Sequence, residues 1–218
     1  IMHQDNFVPL ITRIIQLNEI TLYNSQDIIF LTPKHETVLA LNDLLSKLIN
    51  KAPIDSRVVA QSYTVYSPIE EKSIRKWISL RYAIGDIVVD SDLGDTGRIK
   101  SFAPNGIIVQ FDDIERTYPL KSTTIKDTFM CDKLLLGYAQ TIHRALGGKW
   151  KLVYGILDSN PSKLFMNKRM MYTLITRATG ACSIIQSKPD LYIGACGQVP
   201  GVCYSGLKTK IQGVEITH

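Results

Sequence analysis

Apolar spacing changes along this chain, and each change predicts a different element. Residues 7–18 (FVPLITRIIQLN) carry an apolar face at helical spacing. Residues 27–31 (DIIFL) form a short apolar run, as in a strand covered on both faces of a parallel sheet. Thr32-Pro33 follows and predicts a helix start, with Thr32 as N-cap and Pro33 in the first helical position. Val38, Leu41, Leu44, Leu45 and Leu48 keep helical spacing up to Asn50. The unit reads strand, tight turn, helix. Residues 51–83 are mixed, with a turn signal at Ser67-Pro68 and a charged Glu70-Glu71-Lys72. They predict a connector with one short helix through Ile74 and Trp77.

From residue 84 the period shortens. Gly85-Asp86-Ile87-Val88-Val89, Arg98-Ile99-Lys100-Ser101-Phe102, Gly106-Ile107-Ile108-Val109-Gln110-Phe111 and Thr117-Tyr118-Pro119-Leu120 are separated by Gly, Pro or Asp. Gly94-Asp95-Thr96-Gly97 is a further turn signal. Short strands this close together predict a small antiparallel barrel over residues 84–130. The long period then returns. Leu134 to Ala139 reads as a strand end, Thr141 to Leu146 as a helix start, and Leu152 to Leu157 as a buried strand. Leu164 to Ala178 reads as a helix, and Cys182 to Ile185 as a last strand. Strands alternating with helices predict a parallel α/β sheet with the barrel inserted into it.

Composition adds bounds. The chain has 218 residues, 45% hydrophobic and 21% charged, as in a globular protein with a sizeable core. No apolar run approaches the roughly 18 residues that a membrane span needs. The first residues lack the basic start and apolar run of a signal peptide, and a start at Ile1 points to a fragment or processed product. The net charge of +5 is compatible with a nucleic-acid partner. Cys131, Cys182, Cys196 and Cys203 contain no C-x-x-C pair, so the expectation is reduced, intracellular thiols rather than a zinc ribbon.

Three blocks carry the chemistry: Phe30 to Asn42, Gly137 to Gly148, and Tyr172 to Ala178. In order and spacing they resemble motifs IV, V and VI of superfamily 1 DNA helicases, in the RecD/Dda-like branch. The short-strand segment resembles the Src-homology-type barrel that this branch inserts before motif V. The resemblance covers roughly residues 27–187 and rests on the three blocks together. It implies an α/β, RecA-like parallel-sheet motor domain of P-loop NTPase type, the second of two. Residues 1–83 would be its first part plus connector, 84–130 the inserted barrel, 131–187 its remainder and 188–218 an extension.

The implied activity is ATP-dependent unwinding of DNA, with ATP and Mg2+ held mainly by a first RecA-like domain. The phosphate loop G-x-x-x-x-G-K-[ST] does not occur in this sequence. The chain alone is therefore expected not to hydrolyse ATP. Arg177 is the implied arginine finger, reaching the γ-phosphate across the interdomain cleft. An arginine suits this because its guanidinium matches phosphate oxygens with paired donors and stays charged. The bland alternative is a cation favouring a helix C-terminus. Gly147 and Lys149 complete the implied ATP-binding set. Thr141 and His143 fall where motif V meets the DNA backbone, and Thr32 and Lys34, with His35, begin the motif IV helix. No metal-ligating residue is expected. Arg98, Lys100, Arg116 and Lys121 of the barrel can steer single-stranded DNA, with Phe102, Phe111 or Tyr118 as stacking faces or, more often for such aromatics, as core.

Motif V departs from its family. Leu146 stands where Gln is usual and Lys149 where Glu is usual, and both family residues help couple nucleotide to DNA. The implied partners are single-stranded or forked DNA and the first motor domain, at an intracellular site where DNA is handled. Two other readings remain open here: a non-catalytic, helicase-derived nucleic-acid-binding or scaffolding module, and a viral-type RNA helicase.

Overall fold

A computed structural model describes residues 8–67, 72–123, 128–131, 133–157 and 167–186, with residue 197. The expected helix start at Leu164 and, residue 197 apart, the 188–218 extension lie outside the described residues. In chain order the elements are α1 (Val8–Leu17), β1 (Ile28–Thr32), α2 (His35–Ile49), β2 (Ser56–Ser67), β3 (Lys72–Ala83), β4 (Ile87–Asp90), β5 (Thr96–Ala103), β6 (Gly106–Phe111), β7 (Ile114–Pro119), β8 (Lys121–Ser122), β9 (Thr128–Met130), β10 (Leu134–Leu136), β11 (Ala139–Thr141), β12 (Trp150–Leu157), α3 (Lys168–Ile175) and β13 (Ala178–Gln186). Among the described residues no helix is long and apolar enough to cross a membrane.

The run at residues 28–31 is apolar throughout because both of its faces are covered. β1 lies inside a four-stranded parallel sheet of order β11-β1-β12-β13. Ile28 and Phe30 share a core with Ile11 and Ile15 of α1 and Leu41 and Leu45 of α2. Ile29 and Leu31 face the other core, with Ile142, Met171 and Leu174. At Gly155 an added Cβ would come within 2.7 Å of Leu174, so a glycine there lets α3 pack closely on β12. The chain is thus α/β with a parallel sheet, as expected.

Several boundaries differ from the expected ones. Thr32 is not a helix cap. It pairs in register with Thr141 of β11, and its carbonyl accepts the Ile142 N–H at 3.1 Å. That pairing draws Thr32 into the strand, and α2 begins two residues later than expected, with Lys34 in the cap position. Thr141 to Leu146 starts no helix. It ends β11 and enters a single turn at 142–147, closed by Gly147 at a φ of 92°. Leu134 to Ala139 is two strands rather than one: β10 joins the small sheet and β11 the parallel one.

The largest difference lies at residues 51–83. No helix passes through Ile74 and Trp77. β2 and β3 are 12-residue strands paired along their whole length, from Ser56↔Ala83 to Ser67↔Lys72. Ile74 and Trp77 are three apart, which imitates a helical step, yet they lie on opposite faces of β3. The true period is two: Ile78, Leu80 and Tyr82 go to one core together with Val59.

The segment expected to form a closed barrel contains a five-stranded antiparallel sheet of order β10-β4-β5-β6-β7. β7 and β10 are its edges. The expected limit at residue 130 cuts this unit, because Leu134 to Leu136 pair with β4. A second sheet, β3-β2-β9-β8, shares the same core, built from Val59, Leu80, Val88, Ile107, Val109 and Leu134 among others. Every strand between α2 and β11 therefore belongs to the β unit.

One face of α2 ties the two units together. Asn42, Ser46 and Asn50 are four residues apart and all buried. Asn42 Nδ2 donates to the Leu136 and Ala139 carbonyls at 3.0 Å each, and its Oδ1 accepts the Ala139 N–H at 2.7 Å. Ser46 Oγ and Asn50 Nδ2 both donate to the Asp86 carboxylate at 2.9 Å. Ala83 N–H and the Tyr138 hydroxyl complete four donors to that carboxylate. Burial pushes the Asp86 pKa up, and the hydrogen bonds from Asn50, Ala83, Ser46 and Tyr138 oppose that rise. Arg81 Nη2 reaches the Ser46 and Asn50 carbonyls at 2.8 Å. The chain's return from the β unit at 136–139 and the connection between β3 and β4 inside it are thus both held by one helix. Asp86→Ala should lower stability to urea by about 3 kcal/mol or more, because each buried donor left unpaired costs about 1–3 kcal/mol. A loss within the roughly 0.5 kcal/mol usual for surface changes would mean the network is not what joins the units.

Candidate functional site

The carboxyl ends of parallel strands are where backbone groups and loops meet, and ligands of open α/β sheets bind there. Thr32 ends β1 and Thr141 ends β11, and they are register partners. The residues expected at DNA therefore start from neighbouring strand ends. Beyond Thr141 the chain turns sharply. Arg144 N–H donates to Thr141 Oγ1 at 3.2 Å, Ala145 N–H to the Thr141 carbonyl at 3.1 Å, and Gly148 N–H to the Ala145 carbonyl at 3.1 Å. Ile142 and Ala145 are buried and anchor the turn, while His143, Leu146, Gly147 and Lys149 are exposed.

Lys34 is half-buried just before α2, and His35 opens that helix. His35, Asn42, Gln61, Leu136, Thr141 and Arg144 are among the residues lining a small cavity of about 30 Å³ between α2, β11 and the β unit. Partial burial holds the His35 imidazole below its usual value, and the Arg144 guanidinium lowers it further. The start of α2 and the turn after β11 thus place one imidazole and one guanidinium together at the strand ends.

Thr32 does not offer its side chain to DNA. It is fully buried, and its hydroxyl has no hydrogen-bond partner among the described residues. A nucleic acid at this edge would meet the exposed turn after Thr141 first. An unpaired buried hydroxyl is destabilising, so Thr32→Val should raise stability by about 1 kcal/mol, read as a higher unfolding midpoint. A drop of similar size would mean that Oγ1 has a partner in solution.

Arg177 follows the short helix α3. The helix starts at an Asn167 cap, whose Oδ1 accepts the Arg169 and Met170 N–H groups at 3.0 and 3.1 Å. Its buried side is Met170, Met171 and Leu174, while Tyr172 is 70% exposed and so does not pack in the core. β13 begins at Ala178, directly after the arginine. The Arg177 main chain is fixed by the Trp150 N–H, which donates to its carbonyl at 2.9 Å. Its guanidinium donates to the Gly148 carbonyl at 3.0 Å, the Thr173 carbonyl at 3.2 Å and Thr176 Oγ1 at 3.2 Å. All three acceptors are neutral, and no carboxylate pairs with Arg177 among the described residues. Gly147, Lys149 and Arg177 thus lie around one turn, joined through Gly148.

The steering role expected in the β unit fares differently. Arg98 is occupied by the Gly85 carbonyl at 3.1 Å and Ser25 Oγ at 3.4 Å, Lys100 by Glu115, and Arg116 by Asp95 at 2.7 Å. Phe111 and Tyr118 are core. Phe102 packs against that core, with the Arg57 guanidinium 5.7 Å from its ring centroid. The cation and aromatic that do stand out are Arg75 and Trp77, in the segment expected as a connector. Their period-two context was the available signal. Among the described residues no group of His, Cys, Asp or Glu is placed to hold a metal ion.

No family model and no curated protein matches the chain. Among solved structures it is similar to the Pif1 helicase from Bacteroides in complex with ADP-AlF3 and ssDNA, at 13% identity and a TM-score of 0.49, covering 85% of this chain and 44% of that one. It is also similar to Bacteroides Pif1 bound to ssDNA, at 14% identity and a TM-score of 0.47, covering 90% of this chain and 48% of that one. A third is the Pif1 helicase from Candida albicans, at 14% identity and a TM-score of 0.46, covering 85% of this chain and 49% of that one. The chain spans less than half the length of each.

Proposed function

We propose that this chain is the second motor domain of an ATP-dependent DNA helicase of superfamily 1, working with a first RecA-like domain that brings the phosphate loop. The observation that carries the proposal is the joining of motifs V and VI. The turn that leaves Thr141 ends at Gly148, whose carbonyl accepts the Arg177 guanidinium at 3.0 Å. A change at the DNA edge is then felt at the arginine through one turn.

In this reading single-stranded DNA crosses the carboxyl ends of β1 and β11. Thr141, His143 and the backbone of the turn hold its phosphates, and Lys34 adds charge at the start of α2. ATP sits between the two motor domains. Arg177 leaves the Gly148 carbonyl for the γ-phosphate as the cleft closes, with Gly147 and Lys149 beside it. The exchange is favourable because bonds between a guanidinium and phosphate oxygens are roughly twice as strong as neutral ones. Mg2+ neutralises phosphate charge, and its ligands belong to the first domain. Hydrolysis reopens the cleft, and alternating grip gives directed stepping.

In a protein carrying both domains, Arg177→Ala should cut single-strand-stimulated ATP hydrolysis by about 10³-fold or more. Single-strand affinity should stay near wild type. Unchanged turnover would sink the finger and favour the second reading, a nucleic-acid-binding module without ATPase, which the exposed Leu146 in place of a coupling Gln supports.

The His35 imidazole supplies a pH test. Its pKa is lowered in the free chain, and a phosphate placed beside it would raise that value. The complex then binds more protons than the free protein, so affinity rises as pH falls through the complex's pKa and is lost above it. Affinity for oligothymidylate should therefore increase between about pH 7.5 and 5.5, around the ordinary histidine value of about 6.5. In a His143→Gln background, His35→Gln should flatten that increase. A rise that survives both changes would place phosphate away from His35.

A further inference from the structure

We propose that the outer face of the β2–β3 hairpin is a second binding site for single-stranded nucleic acid, separate from the strand-end site, with Trp77 as a stacking platform and Arg75 as its cation. It rests on the reading above only for the choice of partner. Along β3, Arg75, Trp77, Ser79 and Arg81 share one face, opposite Thr64, Ser62, Ala60 and Val58 of β2. The other face sends Ile78, Leu80 and Tyr82 to the core. Trp77 is 49% exposed although Leu80, three residues on, is fully buried.

The pair is arranged in advance. The Arg75 guanidinium lies 5.0 Å from the centroid of the Trp77 ring, and its Nη2 donates to Ser62 Oγ at 2.7 Å. Two planar groups are thus set side by side before a ligand arrives, which lowers the entropy cost of binding. Lower on the face, Arg81 is bound to the carbonyls of α2, so the base of the hairpin is a joint and the upper face is open. Among the described residues no carboxylate pairs with Arg75.

Charge selects the partner. Of the cations on the two strands, Arg75 and Arg81 share the face of Trp77, Arg57 and Lys76 fall at the alternate positions, and neither strand contains an acidic residue. Glu70 and Glu71 lie outside the described residues. An anionic polymer is therefore attracted here. Of anionic polymers, a single-stranded nucleic acid also presents base faces that stack on an indole, whereas a duplex hides them.

The test uses this chain with fluorescently labelled oligothymidylate, oligouridylate, a DNA duplex and a polyglutamate peptide. Trp77→Ala should weaken both single strands by about 5- to 150-fold, the range expected for one stacked base. Trp77→Phe should retain most of the affinity. Arg75→Ala should make the dependence of log affinity on log salt shallower by about 0.7, the loss of one phosphate contact on a single strand. Thermal melting should stay unchanged in these variants, because Trp77 is half exposed. Unchanged binding in Trp77→Ala and Arg75→Glu would overturn the proposal, as would no single-strand binding by the wild type. Polyglutamate competing as well as oligothymidylate would also overturn it, leaving a face that reads charge alone. None of these readings uses ATP, so loss of the helicase reading through Arg177 would appear separately.

Discussion

The arrangement depends on a buried carboxylate between two folds. Asp86 sits between β3 and β4, fully buried, with donors from the end of α2, from the end of β3 and from Tyr138 just before β11. A carboxylate there carries a desolvation cost, and four hydrogen bonds offset it. An apolar residue would avoid the cost but would not choose a direction. Hydrogen bonds from Ser46 and Asn50, one turn apart on a stiff helix, accept only one placement of the crossing chains. The β unit is therefore set at a fixed angle to the parallel sheet rather than hung on a linker.

That rigidity bears on the strand-end site. Asn42 holds Ala139, which is the first residue of β11, and β11 ends at Thr141. Displacing the β unit would pull on the same short strand that carries the turn to Gly148. The link runs through hydrogen bonds of 2.7 to 3.0 Å at Asn42 and on to the arginine. In the proposed function this is a physical route by which strain on the β unit reaches the nucleotide side, with α2 as its stiff member.

The parallel sheet was legible in the sequence because it depends on burial. Residues 28–31 and 152–157 are apolar on both faces, and few structures other than a covered strand allow that. The long hairpin was not, because Ile74 and Trp77 lie three apart and invite a helical reading, while the alternation is blurred by Arg75 and Lys76. Thr32 misled for a related reason. Thr-Pro is a sound helix start locally, but pairing with β11 keeps Thr32 extended. At the site, the closeness of the Gly137–Gly148 and Tyr172–Ala178 blocks follows from their adjoining β12 and β13 in the parallel sheet. The burial of Thr32 and the clamp from α2 were not legible, since an Asn, Ser, Asn stripe within an apolar helix becomes meaningful only when something polar is seen to cover it.

The departure of Gly137 to Lys149 from the pattern it resembles takes on a definite form once the turn is seen. Leu146 is 64% exposed on its outer side, and Lys149 follows on an exposed stretch. Leu146 buries little there, so a leucine is not needed to hold the turn, which is anchored by Ile142 and Ala145. The turn's geometry does not depend on the Leu146 side chain, because its hydrogen bonds are main-chain or are accepted by Thr141 Oγ1. In the proposed function, the loss is then confined to the side-chain contact that a glutamine would make with the nucleotide side. On that reading the route left between a DNA edge at Thr141 and Arg177 is the backbone itself, through the Gly148 carbonyl.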